Sequence, residues 1–331
     1  MGRVVLTVLT CTARPNPRFD VLADTLYHNL CVTPAAIEWI IVDARLWYDE
    51  NRREELSSAV KGRFAYQHVE PKPSLWQGPH RLTKSDCFDL NSARNTGICL
   101  AKYDHIVLLD DCLAADEDWL KYHLQAANKS ILVGTFESVL DCKLLNGKIV
   151  SYNNLKYAAE QDHRVQVLGD IPFPAKCSGG WTYGLNFSFP LSTALELNGF
   201  DEMYSGAGGC DDVDFGVRAE RFGTPIYFHV GCKVYQLMES HKAVCGVAGG
   251  ASKALGEVEK KHKEWLLKDG KMHFANERLI EKLFEQPLRY KSLYSPNMRY
   301  LRSLVQAGKP FPVPTGPKKD WRDGQPLQDM E

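Results

Sequence analysis

Apolar residues along this chain gather into short, nearly unbroken runs separated by stretches of helical spacing. "RVVLTVLTCT", "IEWIIVDAR" and "HIVLLDDC" are runs of strand length that lack a polar alternation. Between them, "FDVLADTLYHNL" repeats apolar residues at helical spacing, and "SDCFDLNSARNTGICLAKY" does so through Ala93, Ile98 and Ala101. The first run stops at the loop signal "ARPNPR". "WYDENRREELSSAV" is polar and partly helical, and "FAYQHVEPKPSLWQGPHRLT" is irregular, with prolines at positions 71, 73 and 79. Strands that are apolar on both faces must be covered on both faces. The order strand, helix, strand, helix, strand therefore predicts an α/β fold with a mostly parallel sheet flanked by helices.

The later half continues the pattern less regularly. "DEDWLKYHLQAANK" predicts a helix capped by Asp116, with Glu117 and Asp118 in its first turn. "SILVGTFESVL" reads as a strand, the pattern weakens from 141 to 178, and "DIPFPAKCSGG" is a loop. "WTYGLNFSFPLSTALELNGFDE" predicts a strand, a turn at Pro190 and a helix stopped by Gly199. "GAGGCDDVDFGVRAERFG" runs from a glycine-rich loop into a helix ended by Gly223, and "TPIYFHVGCKVYQL" closes the strands. "GEVEKKHKEWLLKDG" and "NERLIEKLFEQ" are amphipathic, whereas "GKPFPVPTGPKKDWRDGQPLQDME" has no periodicity and reads as an irregular tail.

Composition narrows the function classes. With 331 residues, 44% of them hydrophobic, the chain can bury one large core or two modest ones. Forty Lys and Arg against 41 Asp and Glu give a formal net charge of -1, which argues against broad nonspecific binding to nucleic acid while leaving room for a local groove. The ten cysteines are scattered without a CxxC pair, as expected of reduced thiols in a cytoplasmic, soluble protein. No window approaches the ~18 apolar residues of a membrane span. The N-terminal run is interrupted by Thr and followed by a Pro-rich turn, so it reads as a strand rather than a secretion signal. "MGRVV" also lacks the small hydroxyl residue of a myristoylation site.

Three clusters carry candidate chemistry. Asp43, Asp110 and Asp111 fall at the carboxyl ends of strands, where parallel sheets bind ligands. Adjacent acids after a fully apolar strand are costly to place without a partner, although an Asx turn beside a buried Cys112 would also account for them. The first strand is not followed by the glycine-rich turn of a dinucleotide site. Asp211, Asp212 and Asp214 crowd a helix start that needs only one cap, behind Gly206, Gly208 and Gly209. A metal, a sugar hydroxyl or proton transfer would explain that excess. Met238 and His241 are spaced to share a helical face or converge in a turn, yet each is common as a structural residue. His229 is a rival histidine placed on a strand.

Taken in order, these motifs resemble the inverting glycosyltransferases of the GT-A fold, family 2-like, with a later signature similar to the β-1,4-galactosyltransferases. The resemblance is carried by "LTCTARPN", the strand-end Asp43, "SARNTG", "HIVLLDDC", "LNGFDEMYSGAGGCDDVDFGVRAERFG" and "MESH". It runs from the first strand to about His241 and implies a GT-A-like nucleotide-diphospho-sugar transferase fold. By this resemblance Asp212 is the catalytic base. Thr10, Arg14, Asp43, Arg94, Asp110, Asp111, Trp181, Gly184, Asp211 and Asp214 bind donor or acceptor or order the loop. Asp110, Cys112, Met238 and His241 hold a divalent metal, Mn2+ in preference to Mg2+. Cys112 departs from the family, which has an Asp there.

The resemblance further implies transfer of a hexose from a nucleotide sugar, a UDP-hexose, to an acceptor hydroxyl. That acceptor is a glycan, protein, lipid, small molecule or modified base. The expected organisation is a catalytic domain over 1–245, with a donor half at 1–140 and an acceptor half at 170–245. A helical extension over 246–310 and an irregular tail over 311–331 complete it. The alternatives are a catalytically silent GT-A-fold binding protein, motivated by Cys112, and a nucleotidyltransferase, which would leave "GGCDDVDF" unexplained.

Overall fold

The computed structural model describes residues 5–75, 77–81, 88–127, 129–154, 162, 164–165, 173–204, 210–238, 283–292 and 295–313. The apolar runs form β1 (Val5–Thr12), β2 (Ala36–Asp43) and β4 (His105–Leu109), joined by β3 (Tyr66–Val69). These lie side by side in the order β3-β2-β1-β4, and every pair is parallel. Beyond β4 the sheet becomes mixed. β9 (Asn186–Pro190) runs antiparallel to both β4 and β6 (Ile131–Leu145), and β10 (Ile226–Leu237) is parallel to β6. The short β5 (Leu113–Ala115) closes the order, antiparallel on β10.

Alternation along the strands sends successive side chains to opposite faces. Leu9, Cys11, Ile40, Val42, Ile106 and Leu108 join one core, while Leu6, Val8, Trp39, Ile41, Val107 and Leu109 join the other. The second core is covered by α1 (Phe19–Val32), α2 (Arg52–Val60) and α4 (Trp119–Ala126). The first is covered by α3 (Leu90–Leu100), α5 (Leu191–Glu196), α6 (Asp211–Phe222) and α7 (Met298–Gln306). Asp89 starts α3 by accepting the Ser92 N–H at 2.9 Å. Gly199 and Gly223 adopt φ of +72° and +94°, the left-handed geometry that stops the helices before them.

Several elements differ from the sequence expectation. Helix α4 begins at Trp119 after Asp118, and Asp116 instead takes the Glu117 N–H at 2.9 Å. The stretch read as irregular contains β3, a parallel edge strand too short to show a period. Strand β6 continues to Leu145 and pairs with β7 (Lys148–Asn154) across Asn146-Gly147, both with positive φ as a tight hairpin turn requires. A further short strand, β8 (Ala175–Lys176), also lies on β10. His229 stands on β10 as expected, with its ring 3.9 Å from that of Tyr122. The two amphipathic segments lie outside the described residues as far as 282. Farther on, α7 buries Met298 and Leu301 in the first core, and Arg302 donates to the Ala101 carbonyl at 2.7 Å.

Candidate active site

The parallel strands end on one edge, and the loops leaving them assemble the first acidic cluster. β4 stops at Leu109, and Asp110, Asp111 and Cys112 leave it through a turn. The turn draws their carboxylate and thiol atoms within 4.8 Å of one another. Asp111 is buried, and both of its oxygens are taken: Thr12 Oγ1 donates to one at 2.5 Å and Arg14 Nε to the other at 2.6 Å. Arg14 keeps a buried Nη1 with no acceptor among the described residues. Thr10 lies one layer deeper, fully buried, accepting the Trp39 indole N–H at 3.0 Å. Thr12, two residues nearer the strand end, occupies the site in its place.

Asp110 retains a partly exposed surface. Burial of its carboxyl and the neighbouring Asp111 push its pKa up to about 6, against the opposing pull of Arg14 and Arg94. Cys112 is fully buried, and burial with the two adjacent carboxylates raises its thiol well above the ordinary value. Met238 follows directly on β10, whose last residue donates from Leu237 N to the Cys112 carbonyl at 2.9 Å. The β10–β5 pairing thus seats Met238 beside the turn. His241 lies outside the described residues, as do Gly206, Gly208 and Gly209.

The second cluster opens α6 and is held by a close backbone contact. Gly216 in this helix and Gly179 in the short turn Gly179–Trp181 touch so closely that a Cβ on Gly216 would sit 2.2 Å from the Gly179 carbonyl oxygen. That contact brings Thr182 Oγ1 within 2.7 Å of the Asp212 carbonyl and aims the Gly184 N–H at Asp212 Oδ2, 2.6 Å away. Asp212 Oδ1 accepts from Val213 N at 2.8 Å. Burial and the neighbouring Asp211 push the Asp212 pKa up to about 6, while Arg94 and the two N–H donors pull it down.

Arg94 joins the clusters. It rises from α3 over the Phe200 ring at 4.8 Å and pairs with Asp211 through Nη1. Asp212 and Asp110 also lie within its field. A Cβ on residue 184 would meet Arg94 Nη2 at 2.1 Å, so only glycine leaves room for the guanidinium.

Several of the expected residues are engaged by protein partners. Asp211 is buried against Arg94 rather than open to an acceptor. Asp214 is likewise buried, accepting from Arg218 Nε at 2.7 Å and the Tyr204 hydroxyl at 3.2 Å. Arg218 reaches on to the Leu197 and Gly199 carbonyls, which ties α6 to the "NGF" turn. Asp43 has no exposed surface, because Arg52 Nε at 3.0 Å, His68 Nε2 at 3.1 Å and the Arg45 N–H at 2.9 Å enclose its carboxylate. Its place on the alternating strand is the reason: residue 43 shares a face with Trp39 and Ile41, toward α2. Trp181 packs edge-on against Phe228 at 5.7 Å.

The fold adds residues around the site that the sequence motifs do not include. Arg164 grips Asp162 through Nη2 at 2.6 Å, holds the Trp181 carbonyl at 2.5 Å and lies over the Tyr183 ring at 4.1 Å, bracing the wall that ends at Gly184. Lys72 pairs with Glu202 at 2.8 Å below Asn95. Their partners are distant in sequence or set in weakly patterned segments, so no spacing marked them.

No family model matches the chain, and no curated protein sequence matches it. Among solved structures it is similar to GalNAc-T7 with UDP, GalNAc and Mn2+, at 14% identity and a TM-score of 0.50. That match covers 94% of this chain and 59% of GalNAc-T7, so the chain spans well under two thirds of the relative's length. It is also similar to S. aureus TarS 1-349, at 8% identity and a TM-score of 0.47 over 92% of each chain. A third similarity is to the mannosyltransferase PcManGT from Pyrobaculum calidifontis with GDP-Man and Mn2+, at 11% identity and a TM-score of 0.45 over 91% of this chain and 86% of that one. The fold is GT-A-like, that of nucleotide-diphospho-sugar transferases, with a central sheet flanked by helices.

Proposed function

We propose that the chain is a divalent-metal-dependent, inverting glycosyltransferase that moves a hexose from a nucleoside diphosphate sugar, a UDP-hexose, to an acceptor hydroxyl. One observation carries the reading. A strand-end donor cluster at Asp110 and a helix-start carboxylate at Asp212 face a common arginine, Arg94, in one site of a GT-A-like fold. Such a layout suits displacement at a sugar carbon, with the leaving group on one side and a proton acceptor on the other.

Asp212 is the base in this reading. Its proton affinity near neutrality lets it accept the hydroxyl proton as the acceptor oxygen bonds to C1. The bond from C1 to the diphosphate oxygen breaks in the same step, its electron pair leaves with the phosphate, and the anomeric configuration inverts. Gly184 N–H and Val213 N–H orient the carboxylate for that transfer. Arg14 offers its uncommitted Nη1 to a donor phosphate. Asp110, with Cys112 and Met238, would hold the divalent ion, which when bound supplies positive charge to the departing diphosphate.

The test is a panel of nucleotide sugars with and without Mn2+, reading nucleoside diphosphate release. Asp212→Asn should lower transfer by ~10²–10⁴-fold while its circular dichroism matches wild type, and near-wild-type transfer would refute the assignment. A silent sugar-nucleotide-binding protein is the second reading, favoured by Cys112 at the position of a family Asp. It predicts donor binding with neither transfer nor slow donor hydrolysis. Release of pyrophosphate instead of nucleoside diphosphate would mark a nucleotidyltransferase.

A further inference from the structure

We infer that Cys112 is a thiolate ligand to the ion held by Asp110, and that it tunes this site toward thiophilic divalent ions such as Co2+ and Zn2+ and away from Mg2+. The inference rests on the metal-dependent reading above and adds the chemical class of the ion.

Three observations converge on it. Cys112 is fully buried, yet it stands outside the apolar clusters of both sheet faces, unlike Cys11 and Cys232, which pack within them. Its sulfur instead lies within 4.8 Å of the ligand atoms of Asp110 and Asp111. Second, Asp111 is buried and ion-paired with Arg14, with Thr12 on its other oxygen, which leaves Asp110 as the carboxylate of the cluster with exposed surface. Third, the hydrogen bond from Leu237 N to the Cys112 carbonyl brings the end of β10, where Met238 follows, alongside the same turn.

The donors of the cluster without an ion-pair partner are thus the Asp110 carboxylate and the Cys112 thiol, with Met238 at the adjoining strand end. Mg2+ holds to oxygen and gives up its waters reluctantly, whereas thiolate and thioether favour softer, later ions. As the ion binds, the S–H proton passes to solvent and the sulfur electron pair makes the metal–sulfur bond, with no change in oxidation state. Asp110, partly exposed, is the member of the cluster that an ion would meet first.

The test uses Co2+ alone, titrated into the full chain under reducing conditions. Wild type should develop a near-ultraviolet thiolate-to-Co2+ charge-transfer band. Zn2+ should displace it at concentrations at least ~100-fold below those that Mg2+ requires. The band should vanish in Cys112→Ser. In Cys112→Asp the band should also vanish, and the Zn2+ over Mg2+ preference should narrow by ~10-fold or more. The second variant keeps the test decisive if Cys112→Ser does not fold. Co2+ binding without the band, or a band that survives both substitutions, overturns the role of Cys112 and leaves metal dependence standing. If no divalent ion binds at all, the metal-dependent reading fails along with it.

Discussion

Arg94 is the side chain whose field reaches both acidic clusters, where it opposes the rise in proton affinity that burial and a neighbouring carboxylate give Asp110 and Asp212. Asp211 holds its Nη1, so its remaining field is divided between carboxyl groups that burial already pushes up to about 6 from 3.8. A base with that affinity loses activity in acid: kcat/KM should fall below about pH 6 in wild type, and a pH–rate profile checks it. Stability should move the opposite way. A folded pKa above the unfolded one means that the folded state holds the proton more tightly. The contribution is complete below pH 3.8 and is lost as pH rises through about 6. Between pH 7.5 and 5 the Tm should therefore rise more in wild type than in Asp212→Asn, and equal slopes would contradict the shift. Asp43 shows the structural side of the same electrostatics. Removing it as Asp43→Ala leaves the buried Arg52 with only the half-exposed Glu55 as an ion-pair partner and should cost ~3–5 kcal/mol in urea unfolding.

At the scale of elements, the site depends on how closely α6 lies on the turn Gly179–Trp181. Two glycines make the approach possible, and Thr182, Gly184 and Asp212 acquire their mutual geometry from it. Gly216→Ala must push the helix outward from the Gly179 carbonyl. Because a displacement of ~1 Å can cost ~10²-fold in rate, this variant should lose at least tenfold in kcat with little change in donor KM. Unchanged turnover would show that the contact does not position Asp212. The helix itself was plain in the sequence: acids crowd its start, Gly223 ends it, and Phe215 faces the core. The partner across the Gly216 contact was not, since a glycine pair distant in sequence has no periodicity. The Asn146-Gly147 hairpin is the reverse case, a local turn signal present in the letters and passed over because the strands beside it alternate weakly.

At the scale of the molecule, α7 returns from the far end of the chain to seal the first core. Met298 packs beneath α3 and donates from its N–H to Asn198 Oδ1 at 3.0 Å, joining the same turn that Arg218 clamps. The element that carries Arg94 and the turn that feeds α6 therefore share one support. Leu301→Ala, at a residue 1% exposed, should cost ~2–5 kcal/mol by denaturant titration. Limited proteolysis should then release the C-terminal segment before it cuts the β1–β4 sheet.

The unbroken apolar runs by themselves determined a helix-covered sheet, because such strands can be buried only on both faces, and they placed the acids at strand ends. Asp110 and Asp212 were legible as candidate site residues because local excess charge needs a purpose wherever the chain goes. Tertiary structure alone decided which acids remain uncommitted. Asp43, Asp111, Asp211 and Asp214 are each paired by an arginine, in three cases from another element and in Asp214 from its own helix. A buried charge takes the nearest geometrically matched partner in space, and chain order does not encode that distance.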